Sequence, residues 1–431
     1  MAHSEASKML RALRARGRRS GYAALAALMF GTIFTMSGGT ASAGTGGLFT
    51  FLRDDRSYWN ASIANAGYGE QPFVIDTNGD RRQELATYHN GLMTIRRDDG
   101  SVWTTVFANG GYGETPLAVN RTGGPGSHQQ AAVYYNGRFT WRNDNGTYGG
   151  VTMPGAGKIE LPLAVDTNGD GRQEFATYRN GTFTFLRDDG TTWQVGFAGA
   201  SASDVPFIID TDGNGKQELA VYRDSRLTIR RDDGSYWGFN FIGGGPDDVP
   251  LGVDTDGNGR QEFTLYNHAP IQLLAKQIMA DTSIDSTSGR AVREDLQQAA
   301  DGVPSNNGYR MAGSILRAIV RAGYNHNITI SSLTGNGSGH SSTSRHYSGA
   351  GFDLNWIDGY NSNNNDANTR LTGRDVKSIN VINDIKDKLP TNGARIGQLG
   401  CAGTPATLPS WISQITDTCN HLHVDVPVGT E

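Results

Sequence analysis

The alternation of apolar and polar positions changes character along the chain. Between about residues 47 and 267, short apolar runs alternate with polar positions and are punctuated by turn residues. In the repeat that begins near residue 161 this pattern predicts strands over 161–165, 173–178, 181–187 and 191–198. From Ile271 the spacing becomes helical and predicts helices over 271–280, 293–300, 310–322 and 376–389, with Leu316, Ile319 and Val320 on one stripe. Strands are expected over 327–332, 394–399 and 421–426, so helices against a small antiparallel sheet make the last part an α+β unit. The first residues follow neither pattern: a basic stretch through Arg18 and Arg19 leads into an apolar run from Tyr22 to about Met36.

The strand-rich part is repetitive. Asp76-Thr77-Asn78-Gly79-Asp80 returns at Asp166, Asp210 and Asp254, a period of about 44 residues, with a degenerate copy near Asn120. Each full copy continues with Gln-Glu, a strand ending in Tyr88, Tyr178, Tyr222 or Tyr266, and a turn. Four short strands per repeat make a propeller blade. The first copy lacks its front half and opens at Leu48; the last lacks its back half and stops at Tyr266. Joined, they form one blade and remove the two open sheet edges. The expectation is an all-β five-bladed propeller with a composite closing blade over residues 44–268, an open stack of repeats being the alternative.

Near the C-terminus, Ser344-Arg345-His346-Tyr347-Ser348-Gly349-Ala350-Gly351-Phe352-Asp353 and His421-Leu422-His423-Val424-Asp425 bring together the residue types of a metal site. Residues two apart on a strand share a face, so His421 and His423 project into one cleft. His346, Asp353 and His423 are the expected zinc ligands, leaving a fourth position for water.

Two resemblances add to this. The Asp-rich loops resemble the calcium loops of the FG-GAP (VCBS) repeat family, in which oxygens at alternate positions wrap one hard cation. The resemblance implies calcium at Asp76, Asn78, Asp80 and Glu84; at Asp166, Asn168, Asp170 and Glu174; at Asp210, Asp212, Asn214 and Glu218; and at Asp254, Asp256, Asn258 and Glu262. Glu stands where that family usually has Asp, Arg81 replaces a glycine, and the Asn120 copy has lost its carboxylates. Residues 271–431 resemble the zinc D-Ala-D-Ala carboxypeptidase family through S-x-H-x-x-G-x-G-x-D. Through H-x-H they resemble the wider superfamily of lysostaphin-type and hedgehog-type domains. That implies a peptidase of bacterial cell-wall peptides, carboxypeptidase or endopeptidase, with His421 as catalytic base and Arg345 on a substrate carboxylate or oxyanion. The propeller would be a targeting module for wall glycan or a protein. The alternatives are an adhesion protein with a non-catalytic zinc domain, or a general extracellular metalloprotease.

Composition refines the picture. A chain of 431 residues is expected to hold two domains, and a formal charge of −5 marks no nucleic-acid binder. The apolar run is short of the ~20 residues of a spanning helix. With Ala41-Ser42-Ala43 after it, it reads as a signal peptide over residues 1–43. A secreted monomer, free or wall-associated, without membrane contact is expected. Export permits a disulfide between Cys401 and Cys419, the rival reading being thiolate zinc ligands.

Overall fold

The repeats close their hairpins with residues that tolerate positive φ. Asn90-Gly91, Asn136-Gly137 and Asn180-Gly181 all have φ > 0 at both positions, the tight turn whose twist matches antiparallel strands. In the computed structural model, residues 47–429 are described except 54–55, 64–69, 109, 112, 125, 202–203, 246–247, 268, 289, 335–339, 365 and 367. The expected signal segment lies outside the described residues.

Five four-stranded antiparallel sheets form the propeller. In the third, the strands are Leu161–Val165, Glu174–Arg179, Thr182–Leu186 and Thr192–Gly196, each within two residues of the sequence expectation. The closing blade is composite: Val249–Val253 and Glu262–Tyr266 pair with Leu48–Leu52 and then Tyr58–Ser62.

A ring of glutamines clasps the blades. The side-chain oxygens of Gln129, Gln173, Gln217, Gln261 and Gln83 accept from the backbone N–H of Asp76, Asn120, Asp166, Asp210 and Asp254 at 2.8–3.0 Å. Each glutamine N–H donates back to the carbonyl of the same residue at 2.7–2.8 Å. The Gln83–Asp254 link joins the first blade to the last, so closure is hydrogen-bonded at the hub as well as at the rim. Tyr88, Tyr134, Tyr178, Tyr222 and Tyr266 are buried, one per blade.

Residues 271–429 form four helices on one mixed sheet: α1 (Ile271–Ala280), α2 (Arg290–Ala300), α3 (Gly313–Asn325) and α4 (Val376–Ile385). Gly351–Ile357 and Leu422–Asp425 run antiparallel at the centre of the sheet. The sheet is not purely antiparallel as expected, since Ala394–Leu399 pairs in parallel with Ile412–Thr416 and Ile284–Asp285 with Ile328–Ser332. No helix among the described residues is long and apolar enough to cross a membrane.

The two parts pack as one unit over residues 45–431. Leu274, Ala275 and Ile278 of α1 share a hydrophobic core with Phe49, Phe51 and Leu85 of the propeller. Leu273 enters the axial channel, where Pro72, Pro116, Pro162, Pro206 and Pro250 line an apolar cavity. Beside it Lys276, 4% exposed, donates to Thr115 Oγ1 at 2.9 Å. Burial pushes this lysine down to about 8, only partly offset by Asp301 and Glu160. Between about pH 8 and the unfolded lysine value near 10.5 the native state has lost the proton that the unfolded chain still holds, so stability rises with pH. Below pH 8 the penalty is fully present, on the order of 3 kcal/mol. Lys276→Met is expected to raise the melting temperature at pH 7 and to flatten the rise between pH 8 and 10. A lower melting temperature at pH 7 would show that the Thr115 bond outweighs the buried charge.

Candidate metal centre

Strand register creates the site. Asp353 of Gly351–Ile357 lies directly opposite His423 of Leu422–Asp425, and opposed residues on paired strands are immediate side-chain neighbours. His423 Nδ1 is 2.8 Å from Asp353 Oδ1. His346 arrives from the turn before the strand. Gly349 has φ +73°, and a Cβ there would lie 2.7 Å from the Arg310 carbonyl. At Gly351 a Cβ would meet the His346 ring at 3.1–3.2 Å, so the missing side chain lets the imidazole lie against the strand. His346 Nε2 ends 3.2 Å from Asp353 Oδ1 and 3.1 Å from His423 Nδ1.

Outer partners select the tautomers. His346 Nδ1 is 2.7 Å from the Leu333 carbonyl, which can only accept, so Nε2 carries the lone pair facing the centre. His423 Nε2 is 3.0 Å from Asp425 Oδ2, which leaves Nδ1 facing the centre. Two acceptor nitrogens and a carboxylate oxygen thus converge, an arrangement that needs a proton or a cation between them. Their separations of 2.8–3.2 Å suit donors around one ion with bonds of about 2.0–2.2 Å. The residues present fit a divalent metal.

His421 stands at the rim of this triangle. Its Nε2 lies 3.3 Å from Asp353 Oδ1 and 3.0 Å from Asp417 Oδ2, the latter an ion-pair distance off the line of a hydrogen bond. Burial opposes protonation of His421 and His423, but their carboxylate neighbours outweigh it and push them up to about 10 and about 9 in the metal-free chain. Burial would raise Asp353, yet the neighbouring imidazoles of His346, His421 and His423 hold its carboxyl well below the usual range.

Arg345 lies behind His423. Its Nη1 donates to the Gly393 carbonyl at 2.6 Å and to Asp425 Oδ1 at 2.9 Å. Arg395 grips the same carboxylate with Nε at 2.7 Å and Nη2 at 2.6 Å. Arg345 is therefore part of the clamp on Asp425 behind His423. Cys401 and Cys419 form a disulfide, not a thiolate site, and tie down the segment that carries Asp417 and His421. By loop length the bond contributes roughly 3 kcal/mol.

The sequence reads His340 as a solvated residue of a Gly/Ser stretch and gives no role to Asp417. His340 stacks on His346 with ring centroids 4.4 Å apart and planes 2° apart, and its Nε2 is 3.1 Å from Ser332 Oγ. Nothing in its Gly/Ser-rich surroundings signals this. Asp417 could have been found four positions before His421.

The propeller loops behave differently. The carboxylate of Asp76 accepts from the N–H groups of Gly79 and Arg81; Asp166, Asp210 and Asp254 repeat this with two glycines each. Glu84, Glu174, Glu218 and Glu262 turn to the N–H and hydroxyl of Thr77, Thr167, Thr211 and Thr255. Asn120, without a carboxylate, makes the same turn onto Gly123. Asn78, Asp80, Asn168, Asp170, Asp212, Asn214, Asp256 and Asn258 bond within their own loops. These are side-chain-capped turns. The sets do not gather into an oxygen cage for calcium, and no step is derived through that ion. Among the described residues, the groups of three or more His, Cys, Asp or Glu with closely approaching ligand atoms both contain Asp353.

The fold and site define a propeller joined to an α+β domain with a metal-competent histidine–carboxylate cluster. No protein family description matches the chain, and no curated protein does. Among solved structures it is similar to a streptogramin B lyase (11% identity, 51% of this chain and 72% of that one, TM-score 0.28). It is also similar to an Agrocybe aegerita lectin that recognises non-reducing terminal N-acetylglucosamine (12%, 51% and 70%, TM-score 0.31). A third is an inactive virginiamycin B lyase from Staphylococcus aureus with quinupristin (12%, 51% and 70%, TM-score 0.29). Likeness this slight carries no functional argument.

Proposed function

We propose that the chain is an exported zinc-dependent peptidase that hydrolyses amide bonds of bacterial wall peptides. The observation that carries this reading is the convergence of His346 Nε2, Asp353 Oδ1 and His423 Nδ1, with His421 Nε2 beside them. A zinc ion held there supplies a water acidic near neutral pH and a positive charge for the developing oxyanion. His421 accepts the proton at Nε2 and returns it to the leaving amine. Asp417 holds the ring's Nε2 side toward the centre, and Asn420 Oδ1 takes Nδ1 at 2.7 Å. The commitment of Arg345 to Asp425 favours cleavage inside a cross-link over removal of a terminal residue, since a free terminal carboxylate needs a cation. The disulfide accords with an oxidising, extracellular compartment.

The test is incubation of the zinc-loaded chain with purified sacculi and with defined cross-linked muropeptides, with and without chelator. Chelator-sensitive release of amine from cross-links is the expected result. No release from any substrate would favour an adhesion protein with an inert metal domain; cleavage of casein but not muropeptides would favour a general protease.

Asp425→Asn offers a finer check. It weakens the orienting bond to His423 without touching a ligand atom, so zinc affinity should fall about 10–100-fold in competition with a chromogenic chelator. Unchanged affinity would confine Asp425 to folding.

A further inference from the structure

One cleft of the propeller is lined by aromatic rings from two blades. It lies between the fourth and the composite fifth blades and encloses 1060 Å³. Trp237 and Phe239 from the outer strand Tyr236–Asn240 line one side, and Phe263 and Tyr58 of the fifth blade line the other. The sequence explains why it stays open. In the third and fifth blades the repeat tryptophan lies flat on a phenylalanine across the strand pair: Trp193 on Phe185 and Trp59 on Phe51, each with centroids 4.1 Å apart. In the first and fourth blades that partner is an isoleucine, Ile95 and Ile229, so Trp237 has no flat ring of its own pair to rest on. It packs instead against Phe239 at 5.8 Å and reaches Phe263 of the next blade edge-on at 6.1 Å. Its indole N–H is shielded from solvent and has no hydrogen-bond partner. The rim balances four arginines against five carboxylates, which disfavours a polyanion and suits a neutral polyhydroxylated ligand.

We propose that this cleft binds a neutral glycan chain. Apolar sugar faces would rest on Trp237 and Phe239. The site is independent of the metal centre, so it can stand or fall without the peptidase reading.

The experiment uses the full chain with chelator present and N-acetylglucosamine trisaccharide as probe, followed by calorimetry. Binding is expected in the parent, with at least about a tenfold loss in Trp237→Ala. Asn240→Arg guards against misfolding, because Asn240 is an exposed rim residue and a long side chain there fills the cleft without opening the core. It should also abolish binding, at an unchanged melting temperature. Trp193→Ala, in the third blade, should bind like the parent. Absence of binding by the parent, or undiminished affinity in both Trp237→Ala and Asn240→Arg, overturns the proposal. So does preference for a sulfated polyanion over the neutral trisaccharide.

Discussion

Asp353→Ala is expected to leave the chain without bound zinc and without measurable hydrolysis. Asp353 is the carboxylate on which His346, His421 and His423 all converge, within 2.8–3.3 Å. Removing it takes away one donor and the negative charge that lets two imidazole nitrogens face each other 3.1 Å apart. The strand should survive, because Phe352 and Leu354 on its other face remain buried in the core. Elemental analysis should fall from one zinc per chain to near none, with far-UV circular dichroism unchanged. Asp353→Asn separates charge from shape: it keeps the bulk, and affinity should drop steeply all the same. A folded Asp353→Ala variant that retains stoichiometric zinc would remove the basis for the proposed hydrolase.

His421→Gln should behave in the opposite way, with zinc kept and turnover lost. A positioned acid–base group contributes about 10²–10⁴-fold, and that is the expected fall in kcat. In the metal-free chain Asp353 and Asp417 push His421 up to about 10 against the effect of burial. A cation at the centre offsets the charge of Asp353 and so draws His421 back toward neutrality. The base works in its neutral form, so the rate should rise with pH through its titration, and this limb should vanish in His421→Gln. Zinc loss in that variant would place His421 among the ligands. A zinc-replete variant with an unchanged pH profile would assign the base elsewhere, with His340 the first residue to examine.

Much of the propeller was legible along the chain because it is local and repeated. Period, strand length, turn chemistry and the two half-copies at Leu48 and Tyr266 all concern neighbours in sequence, and the composite blade follows from them. The Gln-Glu pair was visible in the repeats, but the clasping role of the glutamine was not, since its partner lies in the adjacent blade, 51–53 residues earlier or, for Gln83, across the closure. The Asp-rich loops show the reverse: their spacing matches calcium loops, while the folded turns spend those oxygens on their own N–H groups.

At the metal centre, residue type and period-two spacing singled out His346, Asp353, His421 and His423 in advance. Spacing could not show that Asp353 and His423 sit opposite one another, because pairing register is settled by the apolar faces of both strands packing into one core. Nor could it reveal that Arg345 and Arg395 close on Asp425, or that His340 lies on His346, since those contacts join segments with no local relation. The amino-acid order by itself determined which side chains were available and how each short element would fold. Only the tertiary structure decided which of them face one another, because that depends on how the hydrophobic surfaces of distant segments find a common interior.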